Sequence, residues 1–216
     1  MVKKLITFEG IEGSGKSTQI KLVAEYLIKK GVEQIVTQEP SGTDIGRKIG
    51  EILFNREHSH LCAETELLLF CAARAQHVRE VIIPALEQNK LVLCDRFSDA
   101  TYAYQGFGRG LNKELIKLIN DYSSMLLKPD MTLLFDLPVE IGLQRATARN
   151  NQLKESSAID RFEREKIDFH RRIREGYLDI SRKDPERFRL IDASRDIDVI
   201  QEEVRRCIGD FINLRS

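Results

Sequence analysis

The sequence predicts an α/β fold: a three-layer sandwich in which helices flank a five-stranded parallel sheet, with a small lid. Short strand-like runs alternate with segments of helical periodicity, which is typical of βαβ units. The runs are residues 5–8, 34–37, 91–94, 132–135 and 188–191. A glycine-rich motif follows the first run. Because parallel sheets bind ligands at the carboxyl ends of their strands, the residues after each run are candidates for a functional site.

The composition indicates one domain over residues 1–216, with a lid at about 149–161. Lys plus Arg and Asp plus Glu each total 34, so the net charge is zero, which argues against a nucleic-acid binder. No apolar run approaches the roughly 18 residues of a membrane helix, and the chain begins without a signal peptide's apolar stretch. The four cysteines, which lack metal-site spacing, predict buried free thiols in a reducing compartment. We therefore expect a cytoplasmic protein with small-molecule partners.

A phosphate-binding loop joins the first strand to the first helix. Its motif is G-x-x-x-x-G-K-S, formed by Gly10, Ile11, Glu12, Gly13, Ser14, Gly15, Lys16 and Ser17. The glycines let backbone N–H groups face an anion, and the helix that continues through Thr18 adds the positive end of its dipole. We predict that Lys16 reaches the β- and γ-phosphates of a nucleoside triphosphate and that Ser17 ligates the accompanying Mg²⁺.

Two helices are predicted between the second and third strands. Thr43 is the predicted N-cap of the first, which runs through Leu53, and the second spans residues 63–88. Phe70 and Arg74 are four residues apart on the second helix, so they project from the same side. On pattern alone, Phe70 is either a core aromatic or a ligand contact, and Arg74 is either a solvated charge or a ligand contact.

The third strand ends in two charged residues. Asp95 lies at the strand tip, where it predicts a second carboxylate that organises Mg²⁺. Arg96 follows it, and a guanidinium there can fork onto a phosphate. Residues 101–110 are rich in aromatic, amide and glycine residues. They predict a loop that packs on a planar ligand and hydrogen-bonds its edge.

A lid is predicted after the fourth strand. A helix begins at Pro138 and carries Arg149, residues 150–157 break its periodicity, and a charged helix resumes at residue 160 with Arg161 near its start. A short polar insertion flanked by arginines predicts a lid that closes over phosphates. Most arginines here also fit a solvated, salt-bridged helix pair, whereas Arg149 and Arg161 are the lid candidates. An amphipathic helix over residues 199–212 closes the fold.

Taken together, these motifs resemble the bacterial thymidylate kinase family over essentially the whole chain. The matching segments are residues 8–17, 39–40, 42–43, 69–70, 73–74, 95–97, 101, 103–106 and 191–193. Many nucleotide-binding proteins share the phosphate loop. Asp-Arg-Phe followed by Ala-Tyr-Gln-Gly is a much narrower match. The resemblance implies a homodimeric enzyme that uses ATP and Mg²⁺ to phosphorylate dTMP.

The resemblance also implies roles for matched residues. The implied acceptor-binding residues are Glu39, Phe70, Arg74, Arg96, Thr101, Tyr104 and Gln105. Among them, Phe70 would stack on thymine, Arg74 would read the base and Arg96 would hold the acceptor phosphate. Glu12 would lie near the acceptor sugar and phosphate. The implied catalytic residues are Lys16, Arg96, Arg149 and Glu12.

Gly13 decides which kind of family member the chain resembles. Relatives that lack an arginine inside the phosphate loop supply one from the lid, and Gly13 occupies the loop position in question. The chain therefore resembles the lid-arginine type, with Arg149 as the first choice. The four histidines, His58, His60, His77 and His170, are expected to be superficial or incidental.

Three departures from the family pattern keep alternatives open. Gln38 and Gly50 stand where the family commonly has arginines, and Ala100 replaces a frequent serine. A lost charge-assisted phosphate contact costs roughly 1.5–3 kcal/mol unless another group, such as Arg47 or Lys48, replaces it. One alternative is a related kinase with a different nucleoside monophosphate acceptor. Another is a nucleotide-dependent switch or binding module, although the guanine-reading Asn-Lys-x-Asp motif is missing.

Overall fold

A computed structural model describes residues 3–152 and 161–214, with the side chains of residues 150–152 excepted. It contains a five-stranded sheet in which all the paired strands are parallel. The strands are β1 (Lys4–Glu9), β2 (Gln34–Gln38), β3 (Leu91–Asp95), β4 (Met131–Asp136) and β5 (Phe188–Asp192). Their order is β2-β3-β1-β4-β5, so the chain crosses from one side of β1 to the other after β3. The predicted fold class and all five predicted strands are confirmed.

Helices flank this sheet. They are α1 (Lys16–Lys29), α2 (Asp44–Phe54), α3 (Ala63–His77), α4 (Ile83–Glu87), α5 (Ser98–Thr101), α6 (Lys113–Ser123), α7 (Val139–Gln152), α8 (Ile167–Lys183) and α9 (Ile197–Phe211). Thr43 caps α2 as predicted, because its Oγ1 accepts the Gly46 N–H at 2.9 Å. Within the described ranges, no helix is long and apolar enough to cross a membrane.

Alternation along the strands divides the core between two helical layers. Ile6 and Phe8 of β1 belong to the cluster that includes Val23 and Leu27 of α1, whereas Leu5 packs in a cluster with residues of α4. Successive side chains point to opposite faces of a sheet, so a strand covered on both sides is apolar throughout. The central strands are accordingly buried almost end to end. This packing fixes β1, and with it the start of the phosphate loop.

The predicted helix over residues 63–88 is interrupted. A π-helical turn, Val78–Ile82, separates α3 from α4. Pro84 lies in the first turn of α4 and has no N–H to donate to the carbonyl four residues earlier. An irregular turn before the proline accommodates this missing bond.

Two other predictions about local structure were wrong. The predicted loop over residues 101–110 is largely helical: α5 continues into a π-helical turn, Tyr102–Gly108, which packs on α8. Its glycines permit that close packing, since a Cβ on Gly108 would meet the Phe169 ring at 2.8 Å. The helix predicted from residue 160 begins instead at Ile167. Backbone and side-chain bonds from Arg161 to α2 carbonyls hold the preceding turn in place. Most of the predicted lid lies outside the described residues.

Candidate active site

The phosphate loop has the backbone geometry that its glycines predict. Gly10, Gly13 and Gly15 have φ angles of 140°, 70° and 87°, a region that side chains rarely adopt. Gly13 also lies directly against α7, because a Cβ there would be 2.0 Å from the carbonyl oxygen of Gly142. No larger residue fits at position 13 unless the backbone moves.

Lys16 is folded over its own loop. Its Nζ donates to the carbonyl oxygens of Gly10 at 3.0 Å and Ile11 at 2.9 Å, and to Ser14 Oγ at 3.1 Å. Burial, followed by the positive charge of Arg96, lowers the pKa of Lys16 to about 8. A phosphate bound in the loop would stabilise the charged form of Lys16, because its negative charge would offset both the burial and the repulsion from Arg96.

Ser17 and Asp95 meet at the end of the sheet. Ser17 Oγ donates to Asp95 Oδ2 at 2.8 Å, which joins the first turn of α1 to the tip of β3. A hydroxyl and a carboxylate provide the hard oxygen ligands that Mg²⁺ takes, together with water and phosphate oxygens. The two residues therefore fit the predicted magnesium site.

Arg96 occupies a strained position beside this pair. Its φ is 65°, which is uncommon for a non-glycine residue, and such strain concentrates at functional sites. Its Nη1 donates to Tyr177 Oη and its Nη2 to Glu12 Oε1, each at 3.2 Å, and its guanidinium stacks over the Tyr104 ring. The residue is thus held by side chains from three segments with its guanidinium at the cavity.

Two carboxyl groups near Arg96, those of Glu12 and Glu9, have pKa values shifted in opposite directions. Burial alone would raise the pKa of Glu12, but His170, Arg96 and the Tyr104 hydroxyl hold it well below its usual range. Glu9 is fully buried; it accepts from Phe97 N–H and from Tyr177 Oη, each at 2.7 Å. Burial, and then the charge of Asp99, raise the pKa of Glu9 to about 8.

Glu9 gives the protein a pH dependence that can be measured. Its folded pKa of about 8 exceeds the ordinary 4.5, so between these values the native state holds a proton that the unfolded state releases. The contribution of Glu9 to stability is therefore full below pH 4.5 and falls as the pH rises toward 8, by up to about 1.4 kcal/mol per pH unit. We expect Glu9→Gln to remove that slope. Urea unfolding of both proteins at about pH 5.5 and pH 7.5 tests this, and equal slopes would contradict it.

One cavity of about 520 Å³ brings the predicted residues together. Every predicted site residue lines it except Gly10 and Ile11, whose carbonyls instead accept from Lys16. The phosphate loop and the Phe70–Arg74 side of α3 therefore open into the same space. Phe70 is partly buried among core aromatics and also lines the cavity, so both interpretations of this residue have a geometric basis.

Arg74 is not a surface charge. It is 1% exposed, and its Nε donates to Glu39 Oε2 at 2.8 Å. Its two terminal nitrogens donate to Asn120 Oδ1 at 2.6 Å, the Phe97 carbonyl at 3.1 Å and Thr101 Oγ1 at 3.0 Å. Such a fixed guanidinium can discriminate between bases because it cannot swing to accommodate the wrong one.

The two candidate lid arginines lie in different settings. Arg149 lines the cavity, its side chain is 58% exposed, and its Nη2 donates to Glu163 Oε1 at 3.0 Å. Arg161 is buried; its Nε donates to the Leu53 carbonyl at 3.1 Å and its Nη2 to Glu66 Oε2 at 2.6 Å. Arg149 thus reaches the cavity, whereas Arg161 does not line it and anchors the turn before α8.

Other residues at the site were not found from the sequence. The expectation for the histidines was wrong for His77 and His170, which are both fully buried. Glu66 is also fully buried, where it accepts from Gln105, Arg109 and Arg161. No local pattern marks these three residues. Glu9, by contrast, directly follows an apolar strand and could have been found by the rule that identified Asp95.

Arg47 does not supply the charge missing at Gln38 and Gly50. Its Nη1 pairs with Glu51 at 2.8 Å on the outer side of α2, and Lys48 is exposed beside it. Gly50 is buried, with Ser41 Oγ 3.0 Å from where a Cβ would lie. Arg96, unlike Arg47 and Lys48, is a cation that lines the cavity.

Comparisons with known proteins agree on one family. The thymidylate kinase family model matches residues 8–204. The chain is 53% identical over 201 residues to a thymidylate kinase of Syntrophus aciditrophicus, covering 93% of this chain and 92% of that one. It is 46% identical over 211 residues to one of Desulfovibrio desulfuricans, covering 98% and 97%. A crystal structure of thymidylate kinase from Ehrlichia chaffeensis superposes with a TM-score of 0.76 at 33% identity, covering 97% of this chain and 100% of the other.

Proposed function

The chain belongs to the thymidylate kinase family, and on this basis we propose that it transfers the γ-phosphoryl group of ATP to dTMP, giving dTDP and ADP. One observation carries the proposal. One cavity is lined by the phosphate loop, by Phe70 and Arg74 of α3, and by Arg96, which supports a donor site and a base pocket in the same space. That arrangement suits two nucleotides bound with their phosphates facing each other.

The reaction depends on aligning the two nucleotides and offsetting their negative charge more than on a general base. An oxygen of the dTMP phosphate attacks the γ-phosphorus of ATP, and the bond from that phosphorus to the β–γ bridging oxygen breaks, leaving ADP. Because the acceptor oxygen is already anionic, no strong general base is required. Lys16, Arg96 and the backbone N–H groups of the loop offset the charge that repels the two nucleotides. Ser17 and Asp95 would hold Mg²⁺ against the phosphates of the donor.

The acceptor half of the cavity would select the base. Phe70 would stack on thymine, and Arg74, held rigidly by Glu39 and Thr101, would face its edge. Tyr104, whose hydroxyl donates to Glu12, would place that carboxylate near the acceptor sugar and phosphate.

A coupled ADP-release assay across dTMP, dUMP, dCMP and dGMP tests the proposal. We expect the highest kcat/KM with dTMP. A preference for another monophosphate would instead support the related kinase that the residues at positions 38 and 50 leave open. Nucleotide binding without ADP release on any of the four acceptors would support a binding module.

Arg149 and Arg161 should respond differently to substitution. We expect Arg149→Ala to lower kcat at least about tenfold while changing ATP affinity less, because it removes a charge that acts when the lid closes. Arg161→Ala should mainly lower Tm, since it leaves buried Glu66 with one cation fewer. Steady-state kinetics and thermal unfolding of both variants separate the roles. A kcat loss confined to Arg161→Ala would transfer the lid role to that residue.

A homodimer and a cytoplasmic location stay predictions. The surfaces of α3 and α6 expose four large hydrophobic side chains, Leu68, Leu115, Leu118 and Tyr122, of which Tyr122 is 86% exposed. A surface of this kind supports association with a second copy. Size-exclusion chromatography measures the oligomeric state directly.

A further inference from the structure

His170 is a buried polar side chain without a hydrogen bond. It lies in the first turns of α8 and is fully buried, and neither of its ring nitrogens has a hydrogen-bond partner among the described residues. Burying such a group without a partner costs about 1–3 kcal/mol. A histidine buried at this cost, without a hydrogen bond, is a candidate for a functional role.

The imidazole faces the free side of Glu12. His170 Nδ1 lies 3.3 Å from Glu12 Oε2, and within the described part of the chain this oxygen is also buried without a hydrogen bond. The other oxygen, Oε1, accepts from Arg96 Nη2 and from the Tyr104 hydroxyl. The carboxylate is thus hydrogen-bonded through one oxygen only, and its second oxygen faces a donor that is almost within bonding geometry.

We propose that His170 is a positioning residue for the acceptor: its Nδ1–H donates to Glu12 Oε2 once the nucleoside monophosphate binds, and this fixes Glu12 and, through it, Arg96. The proposal rests on the proposed function and adds to it. Hydrogen bonds in catalytic sites are often long before the substrate binds and tighten in the complex. With both oxygens held, Glu12 cannot rotate, so Arg96 keeps its fork toward the acceptor phosphate.

The packing of α8 can bring about this tightening. The helix lies against the π-helical turn that carries Tyr104, and the Phe169 ring contacts the Tyr104 ring edge-on at 6.4 Å. A small shift of the turn toward a bound nucleotide would move Tyr104 and, through its hydroxyl, the Glu12 carboxylate relative to His170. His170 needs no contact with substrate to act in this way.

The proposal is tested with substitutions that each imitate one ring nitrogen of His170. In His170→Asn the amide nitrogen takes the place of Nδ1, whereas in His170→Gln it reaches the place of Nε2. We expect His170→Asn to keep kcat/KM for dTMP within about threefold of wild type, and His170→Gln and His170→Phe to lower it about tenfold to a hundredfold, the worth of a hydrogen bond to a charged group. KM for ATP should stay within about twofold in all three, because the loop contacts of Lys16 are unaffected.

Three controls make the result decisive. His60→Asn, at an exposed histidine, should change nothing. Adding His170→Phe to Glu12→Ala should cause no further loss, because the group that His170 positions is already gone. Thermal unfolding shows whether each variant folds. If His170→Phe does not fold, the comparison of His170→Asn with His170→Gln still tests the proposal.

Equal losses in His170→Asn and His170→Gln would overturn the proposal, and so would equal effects on both substrates. The failure of the proposed function looks different, because wild-type enzyme would then prefer an acceptor other than dTMP. In that case the same variants are compared on the preferred acceptor, where the predicted pattern is unchanged.

Discussion

Lys16→Met is expected to lower kcat by about 10³-fold, because it removes the one side-chain cation that the phosphate loop itself carries. In the structure, the Lys16 ammonium donates hydrogen bonds to the carbonyls of Gly10 and Ile11 and to Ser14 Oγ. We expect those contacts to be exchanged for phosphate oxygens when the donor nucleotide binds. Methionine keeps the length of the side chain and loses its charge. Steady-state kinetics with ATP and dTMP measure the loss.

Lys21→Met is the matched control, since Lys21 lies on the same helix but is exposed. It should leave kcat within about twofold of wild type. If Lys16→Met retained wild-type turnover, the loop would not be the donor site. A loss of Tm in Lys16→Met without loss of kcat would assign Lys16 a structural role only.

Arg96→Ala is expected to lower kcat/KM for dTMP by about 10²–10³-fold, while KM for ATP changes little. We expect the variant to lose the bidentate contact proposed between Arg96 and the acceptor phosphate. It also removes the cation that pairs with Glu12, so this ionised, largely buried carboxylate loses a compensating charge. Breaking one side of a buried ion pair costs about 3–5 kcal/mol, and a lower Tm should therefore accompany the kinetic defect.

Two further variants separate the kinetic effect of Arg96 from its effect on folding. Arg96→Lys keeps the charge without the planar fork, so it should recover Tm more fully than kcat/KM. Arg182→Ala, at an exposed arginine of α8 that pairs with Glu175, should leave both unchanged. If Arg96→Ala turned over normally, the acceptor phosphate would be held elsewhere in the cavity.

The sequence was sufficient where a local signal carried the information. The five strands follow from short apolar runs, and the phosphate loop from glycines at fixed spacing. The proximity of Ser17 to Asp95 follows from a general rule: the loop after β1 and the end of β3 lie at the same edge of a parallel sheet. Thr43 could be predicted as an N-cap because the interaction is local: its side chain bonds a backbone group only three residues away.

The remaining features depend on contacts between distant parts of the chain. Glu12 and His170 are far apart in sequence and meet only because α8 packs beside the loop. The pairing of Arg161 with Glu66 and the burial of Arg74 have the same origin. An isolated histidine or arginine in a charged helix has the same appearance whether it faces water or a buried carboxylate. The helical form of residues 102–108 was missed because packing against α8 overrides their local turn propensity.

The close contact between Gly13 and Gly142 makes the choice of arginine a matter of architecture. A side chain in the loop at position 13 would collide with the start of α7. Gly13→Arg would therefore need α7 to shift first, and on its own it would disrupt the loop rather than add a cation to it. Backbone packing thus limits substitution at position 13, and an inhibitor that contacted the loop at Gly13 from the cavity would meet little escape by mutation of that residue.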